Sequence, residues 1–137
     1  MKGKLEIKDI QNINLFEKIT GVKARSCFYY NYVTVFAVPS NTIKRISREK
    51  FMNLCGKIGK VRIIAMPKEN DNTKINNFVT NLIYPLTHRK TEVINGELNI
   101  YTNPKVKAML IGKDKLRLKE LTNAIKIFFN IEKVSIR

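Results

Sequence analysis

The 137-residue sequence predicts an α/β (α+β) fold made of two copies of one small unit. Both halves read helix, strand, strand, helix, strand, and a repeated unit of this length outranks the assignment of any single element. The one polar, turn-rich stretch near mid-chain, Pro67–Thr73 (PKENDNT), falls between the copies and predicts a linker or tight domain junction. The positive surplus is shared as well: 13 basic residues against 4 acidic over residues 1–66, a formal +9, and 13 against 7 over residues 67–137, a formal +6. Domains are therefore expected at 1–67 and 68–137.

In the first half, Ile10, Ile13, Leu15, Phe16 and Ile19 have near-helical spacing over Asp9–Thr20, with Asp9 as cap and Gly21 as stop. Arg25–Tyr32 and Val33–Pro39 are rich in Val, Phe and Tyr and predict two strands joined by a tight turn around Asn31. Ser40 or Asn41 caps a helix expected over Ile43–Gly56, with Ile43, Ile46, Phe51, Leu54 and Cys55 inward. Val61–Met66 (VRIIAM) reads as a short buried strand ended by Pro67.

In the second half, Ile75, Phe78, Val79, Leu82 and Ile83 predict a helix stopped by Pro85. Thr87–Ile94 and Leu98–Thr102 flank Asn95-Gly96, the strongest short hairpin signal in the chain. Val106–Gly112 and Leu116–Asn130 are expected to be helical, with a break at the glycine, and Lys133–Arg137 forms a final strand.

The chain carries 26 Lys and Arg against 11 Asp and Glu, a formal +15. Compositional bias raises Glu together with Lys, so this imbalance points to a polyanion, and to nucleic acid ahead of a membrane surface. No apolar run approaches membrane-spanning length, and MKGKLEIKDIQ lacks the apolar core of a signal peptide, which predicts a soluble, cytoplasmic protein. Cys27 and Cys55 read as buried thiols rather than a bridge. With one histidine and no zinc spacing, no metal or cofactor is expected. No nucleophile elbow, Cys–His arrangement or Walker lysine is present, so the protein is not expected to be an enzyme or to take a small-molecule substrate.

The chain is organised around Val106–Arg117, V-K-A-M-L-I-G-K-D-K-L-R. Apolar residues end at Ile111, Gly112 allows a tight turn and a close ligand, and the next helix begins within a few residues. Its free N–H groups and positive dipole end then face one spot, beside Lys113, Lys115 and Arg117. That is a site for a phosphodiester backbone.

The order helix–strand–strand–helix–helix–strand resembles the prokaryotic-type (type II) KH domain. Its mark is a GXXG loop, preceded by an aliphatic residue and set between two helices, which clamps a few nucleotides by their backbone. MLIGKDKLRLKEL resembles that element, with Ile111 before the loop and Gly112, Lys113, Asp114 and Lys115 in it. Across its length the chain resembles the short archaeal NusA-like transcription factors, which are two such domains in tandem. LFEKITGVKARSC is similar to their opening helix and first strand, and the spacing from Ile111 to VSIR fits without a gap. Two departures stand out. Lys115 holds the place of the second glycine, and the first-half counterpart, Lys44-Arg45-Ile46-Ser47 after Ile43, has no glycine at all.

The resemblance implies two tandem type II KH domains, each α-β-β-α-α-β around a three-stranded sheet. It implies single-stranded RNA as partner, bound with little sequence preference, and a role in transcription elongation or termination beside RNA polymerase. Contacts are expected from Ile111, Gly112, Lys113, Asp114 and Lys115, while Lys105, Lys107 and Arg117 fit either flanks of the groove or solvated surface. The first-half counterparts are Lys44, Arg45, Ser47 and Arg48, which also fit an exposed helix face. Tyr30 or Tyr32 offers a ring for base stacking, and His88, beside Arg89 and Lys90, fits a phosphate contact or a surface strand. Two further roles fit the same features: a ribosome- or rRNA-associated KH protein, and a degenerate module that binds protein.

Overall fold

The structure, a computed structural model, describes residues 6–66 and 74–137; the expected linker Pro67–Thr73 and residues 1–5 lie outside the described residues. The chain is α+β and divides into two compact units, one on each side of that stretch. Each holds a mixed three-stranded sheet.

The first unit opens with α1, Ile7–Thr20. It starts two residues ahead of the expected cap because Glu6 is its N-cap, and Asp9, three residues on, accepts the Glu6 N–H at 3.2 Å. Gly21 closes the helix, donating to the Glu17 carbonyl at 2.8 Å. Strands β1, Ser26–Tyr30, and β2, Val33–Val38, pair antiparallel around a tight turn in which Asn31 and Tyr32 both have positive φ. β3, Val61–Ala65, then pairs parallel to β2 at the sheet edge. Only Ile64 of β3 is buried, against the expectation of a buried strand.

The helix expected over Ile43–Gly56 is split. Ser40–Arg45 winds as a short 3-10 turn, Ile46 is extended (φ −94°, ψ 110°), and α2 runs only from Arg48 to Ile58. The cap is Ser47, whose hydroxyl accepts the Lys50 N–H at 3.2 Å, not Ser40 or Asn41. The first unit therefore reads α-β-β-turn-α-β, with the 3-10 turn where a further helix was expected.

The helices cover one face of the sheet. Phe16, Val22, Ala24, Cys27, Phe36, Val38 and Leu54 form the core there, with the Phe16 and Phe36 rings stacked at 4.5 Å. Burial, together with the charge of Asp9 and against a hydrogen bond from Asn12, pushes the Cys27 thiol up to about 12, so it stays protonated and inert. Cys55 is half-buried and free.

The second unit follows α-β-β-α-α-β. Its first helix, α3, Ile75–Ile83, buries all five apolar residues whose spacing predicted it. β4, Lys90–Ile94, and β5, Glu97–Tyr101, pair antiparallel through Asn95-Gly96, with φ of 52° and 78° as a primed hairpin turn requires. After two more helices, β6, Lys133–Ile136, pairs parallel to β5. Phe78 meets Phe128 and Phe129 edge-on at 5.3 and 5.5 Å within the core. The outer sheet face is polar: Ser135 donates to Glu97 at 2.9 Å and Arg137 to Asn99 at 3.1 Å. The Ser135 bond, with Lys133 and Arg137 nearby, holds the Glu97 carboxyl below its usual range. Among the described residues no helix is long and apolar enough to cross a membrane.

Candidate nucleic-acid interface

The stretch before the glycine is helical for local reasons. Asn103 accepts the Val106 N–H at 2.8 Å and Pro104 fills the first helical position, so α4 runs Pro104–Ile111. Its Leu110 is buried, while Lys105 and Lys107 are exposed and Ile111 is half-buried.

Gly112 then turns the chain with φ 72° and ψ 176°, a conformation essentially reserved for glycine. Space demands it too, since a Cβ there would stand 2.8 Å from the Arg117 Cβ and 3.2 Å from the Arg117 nitrogen. The loop closes with the Lys115 N–H donating to the Gly112 carbonyl at 3.2 Å. Asp114 and Lys115 are both left-handed, with φ of 55° and 60°. Lys115 thus adopts the backbone form that a glycine would take without strain, despite its side chain.

Helix α5, Leu116–Phe128, begins at once; its N-cap residue Lys115 makes no side-chain cap, and the Leu116 N–H donates to the Lys113 carbonyl. Its leading amides and dipole meet the exposed Lys113, Asp114 and Lys115. Arg117 departs from expectation. Its guanidinium donates to Glu120 one turn on, and its side chain is only 13% exposed. It braces the first turn of α5 through this ion pair.

A groove of about 260 Å³ runs from this loop along α5 to β6, lined by Lys115, Leu118, Lys119, Asn123, Glu132 and Val134 among others. Lys119, Asn123 and Glu132 were not among the residues expected at the site. The signal for the first two is their four-residue spacing on α5, one turn and two turns beyond Lys115.

The first-unit counterpart is built differently. Lys44 and Arg45 are exposed on the 3-10 turn and Arg48 on the first turn of α2. None of Lys44–Ser47 has positive φ. The Ser47 hydroxyl is spent on capping α2, so it is a helix cap before it is anything else. Of the two tyrosines expected to offer a ring, Tyr32 is 63% exposed but Tyr30 only 5%, and its neighbour Tyr29 is 52% exposed instead. His88 precedes β4, with its Nε2 2.8 Å from the side-chain amide oxygen Oδ1 of Asn76, and burial lowers its pKa.

The chain matches no protein-family model and no curated protein. It is similar to a solved structure, the crystal structure of APE1850, with a TM-score of 0.64 and 24% identity over 97% of this chain and 100% of that one. That likeness is one of fold.

Proposed function

We propose that this protein binds single-stranded RNA through KH-like units of type II, as a cytoplasmic factor of the NusA type acting in transcription elongation or termination beside RNA polymerase. The observation that carries the reading is the Gly112–Lys115 turn, where an obligatory glycine, two left-handed residues and an uncapped helix start converge. Support comes from the element order of the second unit, its antiparallel-then-parallel sheet and the formal +15. In this reading phosphates sit on the α5 amides and on Lys113 and Lys115. Bases follow the groove along α5, past Leu118 and Val134, and Lys105 and Lys107 add charge from α4.

The first unit, with its capped helix and no left-handed loop residue, supports a second role in that half: contact by charge alone through Lys44, Arg45 and Arg48, or a protein-binding scaffold. A filter-binding titration with a single-stranded RNA at two salt concentrations tests the proposal. Three to four neutralised phosphates give a log–log slope of about −2 to −3, and an absence of binding at low salt sinks it. Affinity capture that recovers ribosomal rather than polymerase subunits moves the same chemistry to an rRNA-associated role.

A further inference from the structure

The groove beside the 112–115 loop has Lys115, Lys119 and Lys133 in its lining, and also Glu132. A surface that only neutralises phosphates has no use for a carboxylate. Lys133 is drawn away, its ammonium lying 3.5 Å from Glu97. Glu132 is anchored against the β4–β5 hairpin. Its N–H donates to the Gly96 carbonyl at 2.8 Å, and its side-chain carbons pass 3.7 Å from the place a Cβ on Gly96 would take. A strand whose phosphates rest on the loop therefore carries its bases along the groove towards this carboxylate.

Two groups of the wall, at Glu132 and Thr122, act as acceptors beside the donors of Lys115, Lys119 and Asn123. An ionised carboxylate accepts and cannot donate. The Thr122 hydroxyl, also in the lining, already donates to the Leu118 carbonyl at 2.8 Å, so it too has only acceptor capacity left. Unpaired RNA presents its Watson–Crick edges. Guanine offers two adjacent donors, N1–H and the N2 amino group, which match two carboxylate oxygens in the parallel manner of an arginine fork. Adenine and cytosine offer one amino group beside an acceptor. Uracil offers one N–H between two carbonyls, which the carboxylate repels.

We infer that Glu132 makes the groove selective for donor-rich bases, guanine first and uracil last, a base-reading contact added to an otherwise sequence-blind grip. The inference rests on the RNA-binding reading above. The test titrates the wild-type protein and Glu132→Gln with a uridine decamer and with alternating UA, UC and UG decamers, in lithium buffer to suppress guanine quadruplexes. The wild type binds the UG decamer about tenfold more tightly than the uridine decamer. In Glu132→Gln that ratio falls to within about twofold, because an amide both donates and accepts. Loss of the negative charge tightens all four alike, so the ratio isolates base reading. A wild-type ratio near one, or a ratio unchanged in the variant, overturns the inference and leaves RNA binding standing. Failure of the wild type to bind any of the four overturns the reading and the inference together.

Discussion

Two loops occupy the same place in the repeated order and carry similar charge, yet they present different backbones. Over Lys44–Ser47 no residue is left-handed, Ile46 is extended, and a serine hydroxyl fills an amide of the helix that follows. Over Gly112–Lys115 three of four residues have positive φ, and the helix that follows starts with no side-chain cap. A helix cap and a bound phosphate compete for the same first-turn N–H groups. On the proposed reading, lysines alone do not make a phosphate site; a helix start without a side-chain cap beside them does.

The largest expected effect is at Gly112. An alanine there meets Arg117 at 2.8 Å in a glycine-only conformation, so Gly112→Ala costs about 3 kcal/mol. It is read as lost hydrogen-exchange protection in α4 and α5. Arg45→Ala, at the first loop, stays within about 0.5 kcal/mol. Equal costs would erase the distinction between the two backbones.

Charge reversal comes next. Lys113→Asp with Lys115→Asp weakens single-stranded RNA binding by tenfold or more, roughly, at low salt. It leaves the fold intact, since acidic residues suit a helix N-terminus. Lys44→Asp with Arg45→Asp costs only about threefold. Equal losses in the two titrations contradict the ranking of the loops.

The smallest effects have opposite signs. Ser47→Ala removes the α2 cap and costs about 1 kcal/mol in urea unfolding. Lys115→Gly relieves a left-handed lysine and stabilises the second unit by about 0.5 kcal/mol, the strain released outweighing the entropy of glycine. A destabilised Lys115→Gly would mean that the lysine side chain supports the loop.

Legibility followed how local each signal was. The five buried residues of α3 and the Asn95-Gly96 turn could be read because periodicity and turn chemistry act within a few residues. The start of α2 could not, because Ser40, Asn41 and Ser47 are all competent caps and packing of Ile43 and Ile46 against the core chose the last. The spacing in α1 overstated burial: only Phe16 among its apolar residues is buried, and Ile7 and Ile10 are 76% and 47% exposed. A 14-residue helix spans about 21 Å, beyond a five-residue strand of about 17 Å. Choosing Tyr29 over Tyr30 as the exposed ring needed strand register, which shifts by a face with each residue. At the candidate site, the turn at Gly112 and the exposure of Lys113 and Lys115 could be read from glycine and charge. The commitment of Arg117 to Glu120 and the arrival of Glu132 beside α5 depend on side-chain rotamers and on the third strand.

The most direct test of the central claim is a backbone-amide NMR titration with a single-stranded RNA decamer. Binding at the open helix entrance predicts the largest shift changes at the amides of Gly112–Leu118, with smaller ones along the groove at Lys119 and Asn123. Changes concentrated at residues 44–51, with Gly112–Leu118 unmoved, would contradict the account.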